Sequence, residues 1–234
     1  MSRVLSLCDS SVRLQTIDFD GNGGHIKSSL LKRVSNYVLS HNSQLNRLRI
    51  DVKGDICHIL PCICSSQTLT SLRLSFSPEG RYNYGRTLFP KSLNLPSLTY
   101  LHLENFAFCA SDNSRIEPFS AFNRLNDLII DNCTVKDAKI LCISSETLLS
   151  LTMRNYSFDF YKIELSSPNL STFAFTGTPY QILCGSSLSS VKQVIIDAEM
   201  LANYSEPPLV LLSWLFDLAN IKSLTVSAST LQVS

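Results

Sequence analysis

A short apolar pattern, L-x-x-L-x-L, returns nine times along the chain. Its copies are Leu14–Phe19, Leu45–Ile50, Leu69–Leu74, Leu98–Leu103, Leu125–Ile130, Leu148–Met153, Leu170–Phe175, Val191–Ile196 and Ile221–Val226. The middle apolar residue falls at 17, 48, 72, 101, 128, 151, 173, 194 and 224, in steps of 31, 24, 29, 27, 23, 22, 21 and 30 residues. Within a copy the last two apolar positions lie two apart and share one face of a strand, while the residues around them point the other way. Each copy therefore predicts one short strand. No unit can bury its leucines alone, so neighbouring units must stack into a parallel sheet over a continuous core.

The mean step lies within the roughly 20 to 29 residues of a leucine-rich repeat. The expected fold is an α/β leucine-rich repeat solenoid: a ribonuclease-inhibitor-like horseshoe of about nine irregular repeats with a parallel concave sheet, one domain over residues 1–234. The uneven steps mark insertions in the returns. The apolar spacing of Ile26 to Ser40 predicts an amphipathic helix on the convex side, as does Leu209 to Leu218 after Pro207-Pro208. Pro78 to Gly85 reads as a mobile loop and Gly21-Asn-Gly-Gly24 as a turn. Asn132-Cys133 and Asn155 stand just after a strand, where the repeat consensus uses Asn or Cys to bond the backbone of the turn.

Composition narrows the partner class. The chain is 44% hydrophobic and 17% charged, against about 25% charged in an average domain, so it can bury a long core. Twenty basic and nineteen acidic side chains leave a formal charge of +1, which gives no broad electrostatic footprint for nucleic acid or membrane. A protein partner fits better. The first apolar run, Val4 to Leu7, ends at Cys8-Asp9 and is too short for a secretory leader. The eight cysteines are accordingly read as thiols in a reducing compartment, cytoplasmic and/or nuclear, and the four N-glycosylation sequons as chance matches. Leu209 to Leu218 falls far short of the ~20 residues that span a bilayer.

No enzyme is expected. Nucleophilic catalysis needs a base and an orienter beside the nucleophile, and none of the four histidines (25, 41, 58, 102) sits in such a motif. His102 lies close to Glu104 along the chain, which reads as a surface strand pair. Cys57-His58-Ile-Leu-Pro-Cys62-Ile-Cys64 lacks the paired spacing of structural zinc sites and reads as core packing. No metal site and no cofactor are expected. The strand register predicts a binding face instead: Arg47, Arg49, Asp51, Arg73, Tyr100, His102, Glu104, Asp127, Asp131 and Arg154 face the concave side of repeats two to six, and the other copies offer mostly Ser, Thr and Ala. Arg and Tyr dominate interface hot spots, whereas Ser and Thr are under-represented. The competing reading is a solvated strand face of mixed charge.

Several stretches resemble the plant F-box proteins with leucine-rich repeats, which often carry a C-terminal FBD module. Arg3 to Ser10 is similar to the segment that follows the F-box, and Leu93 to Asn105 to the mid-domain repeat. Ser166 to Phe173 and Trp214 to Val226 add to the likeness. In that family the F-box docks on the Skp adaptor of a cullin-based ubiquitin ligase and the repeats select the protein to be ubiquitinated. Here the first repeat begins near Leu14 and the chain stops at Leu231-Gln-Val-Ser234, with no F-box before it and no FBD module after it. The resemblance thus implies a protein-interaction module like the substrate-recognition region of an SCF-type receptor, its target unspecified, with Skp and cullin as partners only if an F-box is supplied upstream. A stand-alone or decoy repeat protein, or a truncated gene fragment without ligase function, is the alternative. Solenoids need polar caps, and Val226 to Val233 offers a weak one, so self-association through the C-terminal edge is expected, as at any open strand edge. A stable monomer in sedimentation at high concentration would refute it.

Overall fold

The computed structural model describes residues 14–25, 28–41, 44–53, 60–64, 66–77, 86–90, 93–110, 115–156, 159, 161–199, 206–218 and 220–231. Among them each apolar copy forms or enters a strand. These are β1 (Thr16–His25), β2 (Arg47–Lys53), β3 (Ser71–Ser77), β5 (Tyr100–Glu104), β8 (Asp127–Asp131), β11 (Ser150–Asn155), β13 (Thr172–Gly177), β15 (Gln193–Ala198) and β16 (Ser223–Val226). They form one parallel sheet of nine strands in chain order. Its register aligns the nine middle apolar residues side by side, from Ile17 opposite Leu48 through Leu72, Leu101, Leu128, Leu151, Phe173 and Val194 to Leu224. A one-residue slip would turn every leucine outward, so burial holds the register. From Leu48 to Val194 each middle residue is at most 1% exposed.

A second feature repeats with it. The carbonyl just before each strand accepts two backbone N–H groups from the next unit: Gln15 O from Asn46 and Arg47, Asn46 O from Thr70 and Ser71, and so on to Lys192 O from Lys222 and Ser223, at 2.7 to 3.1 Å. Eight carbonyls share this role. At Thr70, Thr99 and Ser171 the side-chain hydroxyl donates to the same carbonyl of the preceding unit.

The returns differ from the expected helices, and their length explains why. The longest steps hold the long helices, Ser28–His41 after β1 and Glu206–Asp217 after β15, in place of the expected 26–40 and 209–218. A helix climbs about 1.5 Å per residue, whereas extended chain covers about 3.3 Å. The short steps of 21 to 23 residues must therefore return by strand. They do so through β9 (Thr134–Lys136), β10 (Ile140–Ser144), β12 (Lys162–Ser166) and β14 (Ile182–Cys184). With β4 (Thr87–Leu88), β6 (Phe106–Cys109) and β7 (Arg115–Ile116), these make two smaller parallel sheets, β4-β6-β9 and β14-β12-β10-β7. The chain is thus a mostly parallel-strand solenoid with few helices, and among the described residues helices longer than five residues stand only in its two longest returns, with a single turn at Leu60–Ile63 between β2 and β3. One hydrophobic core runs its length, from Phe19 to Leu218. It includes an edge-to-face cluster of Phe76, Phe89, Phe106, Phe108 and Phe119 under the small sheets.

Two local readings are corrected. Gly21 to Gly24 is not a turn: it lies within β1, where pairing jumps from Asp20 opposite Asp51 to His25 opposite Lys53. Glycine tolerates the backbone of such an irregularity. After the strands, Asn105 and Asn132 adopt φ of 64° and 47°, a left-handed conformation that Asn accepts. Their side chains bond each other at 2.6 Å instead of bonding the turn backbone; Cys133 does that, its thiol donating toward Leu103 O and Asp131 O. Asn155 is buried and ends β11. Pro78 to Gly85 lies outside the described residues.

At the C-terminal side, Leu224 in β16 is 47% exposed, and Leu209, Leu212 and Phe216 on the preceding helix are more so. The helix Ala228–Leu231 ties back to β15 through Thr230 Oγ1, which accepts from Ala198 N at 2.7 Å, and Ser229, which donates to Asp197 at 3.0 Å. If this apolar edge drives self-association, Phe216→Ser with Leu212→Ser should shift the sedimentation of a concentrated sample toward the monomer.

Candidate functional site

The outward face of the large sheet gathers all ten residues expected there. Register arranges them in rows. Arg47, Ser71, Tyr100 and Asp127 form the first; Arg49, Arg73 and His102 the second; Asp51, Ser75, Glu104, Asp131 and Arg154 the third. Parallel pairing in register produces this, because residues of equal rank in successive copies become lateral neighbours.

The charges are partly used internally. Arg49 reaches three carboxylates, Asp18 at 3.3 Å, Asp20 at 3.7 Å and Asp51 at 3.8 Å. Arg154 donates to Asp131 at 3.1 Å. Arg47 and Asp127 are exposed, while Arg73, Tyr100 and Glu104 are half-buried. Among the described residues Arg73 makes no ion pair, and its Nε is buried without a hydrogen-bond partner. No family model, curated protein or solved structure matches the chain. The site rests on its own geometry.

The alternation that put His102 on this face did not show its burial. The residue is 2% exposed, and neither ring nitrogen has a hydrogen-bond partner. Nε2 lies 3.9 Å from Asp131 Oδ2. Burial first, and then the guanidiniums of Arg73, Arg154 and Arg49, bring its pKa down from 6.5 to about 4. The imidazole is therefore neutral at pH 7 in the folded chain. An unfolded chain takes up a proton below pH 6.5 that the folded chain refuses until about 4, so this contribution is complete above 6.5 and is lost as pH falls through that window. Its size is at most about 3 kcal/mol. Urea midpoints at pH 7 and pH 4.5 should differ more for the natural chain than for His102→Asn.

Of the Cys57–Cys64 cluster, residues 57 to 59 lie outside the described residues; Cys64 is half-buried and its thiol donates to Leu60 O at 2.9 Å. Burial pushes the Cys133 thiol up to about 12, so it is unreactive at neutral pH. A cavity of about 370 Å³ opens beside β6 and β7, lined by Phe89, Phe108 and Ile116 with Arg115 and Glu117 at its polar side. Arg115 is held there by Glu117 at 2.9 Å and Glu164 at 3.0 Å. No described helix is long and apolar enough to cross a membrane.

Proposed function

We propose that the chain is a leucine-rich repeat protein of about nine irregular repeats that binds a protein partner across the outward face of β2, β3, β5, β8 and β11. The reading follows the resemblance to the substrate-recognition region of plant F-box receptors. It takes the partner to be a protein met in the cytoplasm or nucleus and assigns the chain no catalysis of its own. The carrying observation is one of placement: four arginines and Tyr100 share three adjacent rows on five consecutive strands. Along the row of Arg49, Arg73 and His102, Ile129 and Thr152 follow on β8 and β11, and Ala174, Ile195 and Thr225 beyond the five strands. Side chains of the first kind concentrate binding energy, and a rigid sheet holds them without an ordering cost on association.

Affinity capture tests this. Skp adaptor recovered with a full-length form bearing an F-box would place the module in a ligase. Other partners recovered without Skp would make it a stand-alone or decoy binder. Reversal of Arg47, Arg49 and Arg73 to Glu should abolish capture without unfolding the chain. Arg49→Glu adds a carboxylate to the three already around that position, so the Arg47→Glu, Arg73→Glu pair is the cleaner variant. Unchanged capture by a folded double variant would remove the face from the binding site.

A further inference from the structure

The expectation of no metal overlooked three residues that the sheet brings together. Glu104 stands two residues after His102 on β5, and Asp131 is opposite Glu104 on β8. One ligand atom from each lies within 4.8 Å of the other two. We propose that His102, Glu104 and Asp131 bind a divalent transition-metal cation of the zinc class.

Two observations carry the assignment. A buried polar group without a hydrogen bond costs free energy, and both nitrogens of His102 are in that state, with Nε2 toward Asp131. A metal bond would satisfy one of them. Two carboxylates directly opposite on neighbouring strands repel; Arg154 engages Asp131, while among the described residues Glu104 has no ion-pair partner. A cation between them relieves the repulsion.

The donor set selects the metal. Imidazole with carboxylates suits zinc-like ions, and bonds of about 2.0 to 2.2 Å place ligand atoms roughly 3.4 Å apart in a tetrahedron. The three atoms, now within 4.8 Å of one another, must close by no more than about 1.4 Å on any edge. Calcium is disfavoured because it takes six to eight oxygens. The bond from Arg154 leaves Asp131 further lone pairs and orients it, as outer-shell partners do. Arg73 opposes binding by its charge. The remaining coordination positions fall to water or to a partner's side chain, and the cation site stands whether or not a protein docks on this face.

Co²⁺ added to the chelator-treated full chain is the probe, with Zn²⁺ as competitor. Expected is one Co²⁺ per chain, displaced by Zn²⁺, with visible d–d absorption and without the thiolate charge-transfer bands that a site among Cys57, Cys62 and Cys64 would show. Glu104→Gln, at a half-buried position, should fold normally and weaken binding by more than about tenfold, beyond the loss that even outer-shell partners cause. His102→Ala should abolish it, and Arg73→Gln should tighten it severalfold. Thiolate bands, affinity unchanged in a folded Glu104→Gln chain, or no stoichiometric binding would each overturn the site.

Discussion

Trp214→Ala should cost about 3 to 5 kcal/mol of folding stability, seen as a large fall in the urea midpoint followed by circular dichroism. Trp214 is the chain's single tryptophan and is fully buried. Its ring meets Phe175 edge-to-face at 4.8 Å and Phe173 at 6.0 Å. Its Nε1 donates to the carbonyl of Gln181 at 2.8 Å, and the Gln181 side chain in turn donates to Asp159 O at 2.8 Å. Truncation therefore opens a cavity and also orphans a buried carbonyl. Trp214→Phe keeps most of the packing and loses the hydrogen bond, so a cost near 1 kcal/mol is expected for it. A midpoint unchanged by Trp214→Ala would mean that the helix Glu206–Asp217 does not close this end of the core. In the natural chain, fluorescence should report the same closure, because emission comes from this one site.

The second large effect is expected at Gly177, the last residue of β13. Its φ of +114° is one that side chains rarely adopt, and a Cβ there would lie 2.0 Å from the carbonyl oxygen of Asn155 on β11. Both partners in the clash are backbone, so no rotamer change relieves it. Gly177→Ala should cost at least about 3 kcal/mol, backbone strain and overlap together, with separation of β13 from β11. Gly185 presents the same geometry against Leu165 O at 2.3 Å, and its alanine variant should fail in the same way. Near-natural stability of Gly177→Ala, measured by thermal and urea unfolding, would show that the two strands can part without disturbing the sheet. These glycines carry no motif, and nothing in their neighbours along the chain distinguishes them.

The strands of the large sheet were legible because a half-buried strand repeats its apolar residues at a period of two and a solenoid repeats that signature once per unit. The two long helices were legible for a similar reason, with boundaries off by a few residues. The strands of the returns were not. Phe106–Cys109 and Ile140–Ser144 are short runs buried at nearly every position, and a continuous apolar run has no period to read. The face of ten polar residues followed from register alone, and the sheet assembles it as the spacing requires.

What the sequence by itself determined is the one-dimensional part of this protein: nine strands, their inward residues, and therefore which side chains face out together. That much is local, since alternation is set by backbone geometry and stacking by the need of every unit to bury the same leucines. What only the tertiary structure decided is everything that depends on distance between units. It buried His102 without hydrogen bonds on a face where alternation predicted exposure, left Arg73 without an ion-pair partner among the described residues, and pressed Gly177 against Asn155. Those relations join residues 22 to 29 positions apart, and they depend on close packing between neighbouring strands, which no pattern along a single strand encodes.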